Sequence, residues 1–292
     1  MISVLVVINP KAGTKTKKNL EEIIKKFFEG KGIVEFLYWQ SADEDITEKV
    51  KRQIRNRQYD TVVVCGGDGT VNRVSQALLY GKEKLAIIPI GSGNGLARHL
   101  NIGMNIKKAL KVAIYGKVKE IDAVRINENY YFCTAGVGFD AQVAHLFANA
   151  EKRGLLTYVR MVLVSFFNYK PKNYFIKCDD IEFKTEAFFI TVANANQWGN
   201  NVKVAPLANI SDGLFNLVIL KSFKWYHLPS IAFRLLTNSF HLSKRVLNLT
   251  GKVVSIKFED KEIQGHFDGE PVMFSEKVVC RIENKALKVI VP

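Results

Sequence analysis

Three short turns set carboxylate, hydroxyl and amide side chains among glycines, a composition suited to handling phosphates and cations. They are Asn9-Pro10-Lys11-Ala12-Gly13-Thr14, then Gly66-Gly67-Asp68-Gly69-Thr70 with Asn72 beyond it, then Gly91-Ser92-Gly93-Asn94-Gly95. Glycines let backbone N–H groups approach phosphate oxygens, and a helix that starts there adds partial positive charge. Asp68 does not fit that scheme alone. A carboxylate beside a phosphate is repelled unless a cation lies between them or the acid is there to take a proton. Both needs arise in phosphoryl transfer, where Mg²⁺ bridges phosphates and a base or positioning group meets the acceptor hydroxyl. Thr70 and Asn72 fall at a helix entry, where they cap the helix or contact a phosphate.

A second acidic cluster, Gly265-His266-Phe267-Asp268-Gly269-Glu270-Pro271, lies near the end of the chain. It reads either as a surface hairpin tip or as a loop crossing an interdomain cleft toward the glycine turns, giving one acid from each domain. Glu270 is the better general base if it is partly buried, because a carboxylate at the reference pKa of about 4.3 is a weak base at neutral pH. A third loop, Val204 to Leu214, carries Asp212-Gly213 and is either a turn or an oxygen-rich cation loop. His227, His241 and His145 read as structural. His99 and His266 flank two of the turns and are set apart as ligand or positioning groups.

Other chemistries are disfavoured. The chain has no G-x-x-x-x-G-K-[ST], its third turn is not G-x-G-x-x-G, and no G-x-S-x-G surrounds Ser92. Cys65, Cys133, Cys178 and Cys280 form no C-x-x-C pair, which argues against a zinc cluster and for a reduced protein.

The elements that must position these residues alternate over the first 120 residues. Strands are expected at Ser3–Ile8, Ile33–Tyr38, Thr61–Cys65 and Leu85–Ile88. Helices are expected at Lys17–Phe28, Asp43–Arg57, Val71–Tyr80 and Gly95–Leu100. Apolar strands alternating with amphipathic helices indicate a parallel sheet covered on both faces. All three glycine turns then fall at the carboxyl ends of strands, where open α/β sheets bind ligands. Beyond Val118 come a hairpin around Asn127-Glu128-Asn129, a helical region over Ala141–Phe167, and a helical patch at Tyr226–Leu236. Short strands surround them at Tyr174–Cys178, Ile181–Phe183, Glu186–Asn194, Leu214–Leu220, Val253–Phe258 and Lys277–Val291. The fold class expected is an α/β domain over residues 1–120 and an antiparallel β-sandwich over 121–292, whose last strand returns to the first domain.

These motifs, in this order, resemble the diacylglycerol-kinase catalytic-domain family, in particular its bacterial YegS-like lipid kinases, relatives of sphingosine kinases. The resemblance is carried by Asn9-Pro10 with Gly13, Gly66 to Thr70 with Asn72, and Gly91 to Asn94 with Ala97-Arg98. It continues through Gly138-Phe139-Asp140-Ala141, Asn194, Pro206 with Ala208, Asp212-Gly213 and Asp268-Gly269-Glu270. It implies ATP and Mg²⁺, a nucleotide domain, a β-sandwich lipid domain and a cleft between them. It implies that Asn9, Gly13, Gly66, Gly67, Gly69, Thr70, Asn72, Ser92, Gly93 and Asn94 bind nucleotide. Asp68 is then catalytic or metal-organising, and Glu270 is the base with Asp268 beside it. Asp212 matches a structural Mg²⁺ position, with the backbone carbonyls of Asn209 and Leu214. Many bacterial diacylglycerol kinases have Asn-Asp in the third turn, where this chain has Asn94-Gly95, so the resemblance does not name the lipid. Replacing Asp68 or Glu270 by Ala is expected to abolish turnover and leave the fold intact.

The net charge of +14 favours an anionic partner. A lipid alcohol lifted from an anionic membrane surface calls for adjoining basic and apolar residues. Lys152-Arg153 before Leu155, Leu156 and Tyr158, and Phe223-Lys224-Trp225-Tyr226, fit that requirement. No stretch reaches the roughly 20 apolar residues of a membrane span. The expected place is therefore the cytoplasm, peripherally on the inner face of the membrane, with a homodimer among the expected assemblies. Rival readings are a kinase of a soluble acceptor such as NAD, a non-catalytic nucleotide or lipid sensor, and a nucleic-acid binder. The last rests on charge alone; no recognition helix or aromatic-basic motif supports it, and nucleic acid is not expected as a partner.

Overall fold

A run of valines sets the first sheet. Val4, Val6 and Val7 in β1 (Ile2–Ile8), and Val62 to Val64 in β3 (Thr61–Gly66), are wholly buried on both strand faces. Only a strand covered by helices on both sides can bury consecutive β-branched residues in this way. The computed structural model describes residues 1–13, 19–41, 44–148 and 155–292. It divides into two compact units, Met1–Ile121 with Lys285–Pro292, and Asp122–Asn284.

In the first unit β1 pairs in parallel with β2 (Gly32–Tyr38) and with β3, and β3 pairs in parallel with β4 (Lys84–Pro89). The far end of β13 (Glu270–Val291) adds to this sheet, with Val289 opposite Leu85. The helices are α1 (Leu20–Phe28), α2 (Ile46–Asn56), α3 (Asp68–Ala77), α4 (Gly95–His99) and α5 (Ile106–Tyr115). Helix α2 starts where Asp45 accepts from Glu48 N, and α5 where Asn105 accepts from Lys107 N and Lys108 N. Helix α3 begins three residues earlier than periodicity suggests, at the acid itself. The expected helix starts at Lys17 and Asp43, and Thr14 of the first turn, lie outside the described residues.

The second unit is antiparallel. It starts within β5 (Lys117–Ile126), which turns at Asn127 and Glu128 into β6 (Asn129–Tyr131). Next come β7 (Thr134–Gly138), α6 (Phe139–Ala148), α7 (Leu155–Asn168), β8 (Lys172–Cys178) and β9 (Ile181–Ala193). After β10 (Phe215–Lys221), helix α8 (Leu228–Leu236) precedes β11 (Val246–Gly251), β12 (Val253–Phe267) and the start of β13.

Strands β9 and β12 are longer than their apolar runs and each serves two ladders. The first half of each pairs with β8, and the second half with β7. Strands that change partners midway make the corners of a sandwich. The space between the two layers is filled by Tyr131, Tyr174, Phe215, Ile256, Phe274 and their neighbours. A second cluster of Phe139, Phe166, Phe188, Phe189, Ile231 and Phe240 lies where the helices cover the sheet. Among the described residues, no helix is long and apolar enough to cross a membrane.

Candidate functional site

The three glycine turns of the first unit pack on one another. Gly13 has φ +76°, and a Cβ there would lie 2.0 Å from the Ile90 carbonyl oxygen. A Cβ at Gly91 would lie 2.5 Å from Gly67 Cα. Both positions therefore exclude any other residue on steric grounds. Glycines in these turns are what let the turns touch.

Polar side chains lock this arrangement. Asn9 donates from Nδ2 to Thr70 Oγ1 at 2.9 Å, and its Oδ1 accepts from Lys11 N at 2.9 Å. Asn9 N donates to Cys65 O, tying the first turn to the end of β3. Thr70 and Asn72 are buried, and Asn72 Oδ1 accepts from Gln76 Nε2 at 2.6 Å. In the third turn Asn94 is left-handed (φ 52°) and closes on Gly91, accepting from its N–H at 3.1 Å and donating to its carbonyl at 2.8 Å. Arg98 Nε donates to Gly93 O at 2.9 Å. Ser92 is exposed.

Asp68 joins the second turn to the third. Its Oδ2 accepts from Asn94 N at 2.8 Å and its Oδ1 from Gly95 N at 2.7 Å, at the first N–H groups of α4. A carboxylate placed there is favoured by the charge and orientation of the helix N-terminus. Asp68→Ala would remove both bonds to α4, so a cost in stability is expected beside the loss of turnover. A carboxylate offers roughly four lone-pair sites, and these two bonds point both of its oxygens at the third turn. The N-terminus of α3, by contrast, is capped by Gly67 with no side-chain bond.

The acidic hairpin of the second unit turns tightly at Asp268 (φ 48°) and Gly269 (φ 82°), with Phe267 opposite Glu270. This is the two-residue turn that an Asp-Gly pair favours. Asp268 is turned back onto its own unit, accepting from Phe132 N, Cys133 N and Thr134 N at 2.9, 2.8 and 3.1 Å. It acts there as a clamp. Glu270 is exposed, so the partial burial expected of a stronger base is not found. The two acids do not share one strand face; the turn separates them.

Helix α6 fastens the same hairpin from another side. His145 Nε2 lies 3.0 Å from Gly265 O and 3.1 Å from Val272 O, and must donate, since carbonyls only accept. His266 Nε2 lies 3.1 Å from Asp140 Oδ2, which also accepts from Thr191 Oγ1 at 2.9 Å. Both side chains of this Asp–His pair are almost fully enclosed, so His266, set apart by its place in the sequence, positions the hairpin. Asp140 also helps to raise the Tyr169 and Tyr174 phenols, for which burial is the first cause.

The loop carrying Asp212 is organised by its own side chains. Asp212 Oδ1 accepts from Leu214 N at 3.0 Å, and Asn209 Oδ1 accepts from Ser211 N at 3.3 Å. Among the described residues no group of three His, Cys, Asp or Glu converges on one point. A cation held here has one carboxylate, backbone carbonyls and water, a set that suits a hydrated hard cation such as Mg²⁺. The residue that anchors the loop went unremarked in the sequence. Asp122 is wholly buried, accepts from Gly213 N at 2.7 Å and donates its N–H to Ile210 O at 2.7 Å. A lone acid inside the apolar run Ile121–Val124 was its signal. Asn194, buried beside it, donates to the carbonyls of Asp122 and Phe132, both at 2.9 Å.

Comparison with known proteins gives two family matches along the chain. Residues 3–126 match the diacylglycerol kinase catalytic domain, and residues 133–291 match the YegS C-terminal NAD kinase beta sandwich-like domain. A protein from Shewanella frigidimarina, described as a probable lipid kinase of the YegS-like type, is 30% identical over 87% of this chain and 82% of its own length. The diacylglycerol kinase of Bacillus subtilis is 28% identical over 91% of this chain and 88% of its own. A crystal structure of a diacylglycerol kinase from Bacillus anthracis shares the fold with TM-score 0.75 at 19% identity, covering 99% of this chain and 97% of that one.

Proposed function

The chain belongs to the diacylglycerol kinase catalytic-domain family of lipid kinases, and is thus a phosphotransferase acting on a hydroxyl group; from that premise we propose that it moves the γ-phosphoryl group of ATP to the hydroxyl of a membrane lipid alcohol. The observation that carries the reading is the packed trio of turns, with Asp68 holding α4 while α3 presents an N-terminus without a side-chain cap. Gly66, Gly67, Gly69 and Thr70 hold phosphate oxygens at that N-terminus. Asn9, Gly13, Asn72, Ser92, Gly93 and Asn94 complete the nucleotide site. The acceptor oxygen bonds to phosphorus as the bond to the ADP oxygen breaks, and the acceptor proton passes to the Glu270 carboxylate. Asp68 orients the acceptor or organises the cation, and Asp268 keeps the Glu270 turn in shape. Mg²⁺, when bound, supplies charge neutralisation at the phosphates. Asp212, with the carbonyls of Asn209 and Leu214, is the proposed structural cation position.

The test is to incubate the purified protein with labelled ATP, Mg²⁺ and a panel of lipid alcohols in mixed micelles, with NAD as the soluble comparator. Transfer to a lipid and none to NAD is the expected result. Transfer to NAD alone would replace this reading with the soluble-acceptor one. Glu270→Gln should slow the transfer by about 10²–10⁴-fold, the usual contribution of a general base. With Glu270 exposed at a turn, its stability should stay within about 0.5 kcal/mol of the parent.

A further inference from the structure

We infer that the excursion between β10 and β11, built around α8, is the surface by which the protein docks on an anionic phospholipid bilayer. Helix α8 has two apolar stripes. Leu228, Ile231 and Leu235 pack into the aromatic cluster over the sandwich. On its other side Phe233 and Leu236 stand 66% and 65% exposed. Ser230 and Arg234 fall between the two stripes, and among the described residues only the first stripe is covered. The flanking 3₁₀ turns add Trp225 and Leu242, 69% and 65% exposed. Exposed Trp, Phe and Leu within a basic segment are what a chain lying in the membrane interface presents.

The charge selects the occupant. Between Asp212 and Glu259 the chain carries no Asp or Glu, although it holds 28 acids in all. Lys221, Lys224 and Lys244 are exposed at the two ends of the excursion. Those ends meet, since Lys221 N donates to Arg245 O at 3.0 Å. Arg245 is itself turned to His227 Nε2 at 2.6 Å, a contact that requires a neutral ring; partial desolvation, with Arg245 and Lys224 nearby, lowers the His227 pKa. A second copy of this chain would bring the same lysines against themselves, whereas an anionic leaflet complements them. The basic pair Lys152-Arg153 lies outside the described residues.

The choice of a bilayer rests on the lipid-acceptor reading above, so docking is measured apart from catalysis. The full chain is mixed with vesicles of equal phosphatidylglycerol and phosphatidylcholine, without ATP or any lipid alcohol, and the bound fraction is read by sedimentation. Phe233→Ser with Leu236→Ser should weaken binding by tenfold or more at an unchanged urea midpoint. Each Lys→Gln change at Lys221, Lys224 or Lys244 should cost about fivefold, and the lysine effect should vanish on pure phosphatidylcholine. As a measure that does not depend on those variants folding, brominated lipids should quench tryptophan emission in the parent and fail to do so in Trp225→Phe. Equal vesicle binding by the parent and the α8 variant overturns the assignment. So does an α8 variant whose only change is loss of self-association. Docking through α8 combined with transfer to NAD alone would uphold this surface and sink the lipid-acceptor reading.

Discussion

Exchanging Asp68 for Asn separates what the acid does for the fold from what it does for turnover. The carboxylate accepts two backbone N–H bonds, from Asn94 at 2.8 Å and Gly95 at 2.7 Å. Asn keeps one acceptor oxygen and points an amide N–H at the other donor. One charge-assisted bond is lost, worth about 1.5–3 kcal/mol, so a loss near 2 kcal/mol is expected. Ala removes both bonds, and with Asp68 half-buried, water recovers part of the loss; about 3–5 kcal/mol is the expected cost. With a urea slope near 2 kcal/mol/M, the Asn midpoint should fall by about 1 M. Amide hydrogen exchange at Gly95 should rise in step. Turnover with the Asn protein, measured well below its unfolding range, should drop by far more than stability accounts for. A third variant, Gly93→Ala, leaves the acid in place but sets a methyl group 2.6 Å from Asp68 Oδ2. It should also lower both stability and rate by displacing the carboxylate. An unchanged midpoint in Asp68→Asn would refute the tie to α4, and an unchanged rate would remove Asp68 from the chemistry.

Asp268→Ala loses three backbone partners and a residue tolerant of the left-handed turn, and should destabilise the second unit by about 3–5 kcal/mol in urea unfolding. If the clamp matters to the reaction, the surviving fold should show a lower kcat than the midpoint shift explains. Burial pushes the Cys178 thiol up to about 11 and the Cys280 thiol up to about 12 from a reference of 9.0. A raised folded pKa stabilises below the unfolded value and loses that contribution as pH rises through the folded one. The urea midpoint should therefore hold up to about pH 9 and fall above it, with buried Tyr131 and Tyr174 adding to the same trend. A midpoint that rises over that range would contradict their burial.

Much of the site was written in the sequence because its signals are local. Glycines around Asp68, the Asp268-Gly269 pair and the apolar strands each announce themselves within a few residues. What escaped needed contacts across the chain. That Asp68 caps a helix starting 27 residues later depends on two turns meeting, which no local pattern encodes. Helix α5 was missed because its buried side is Ala109, Leu110 and Ala113, small residues with weak contrast, although Asn105 was available as its cap. Strand β9 extends beyond its apolar segment because its first half is held by pairing to β8 instead of by burial, and β12 extends beyond Phe258 because its second half pairs with β13 and β7. The exposed second stripe of α8 looks the same in sequence as a core-facing one; only burial distinguishes them.

The return of β13 to the first sheet has a consequence for biogenesis. Lys285–Pro292, which follow the whole sandwich along the chain, supply Val289 beside Leu85 and a carbonyl, from Ala286, for Tyr80 N. The first unit is thus completed only after the second has been made, and its edge beside β4 waits for that segment while the whole sandwich is translated. An expression design that ends at residue 121, or one that hangs a bulky tag on Pro292, works against the order in which this protein closes itself.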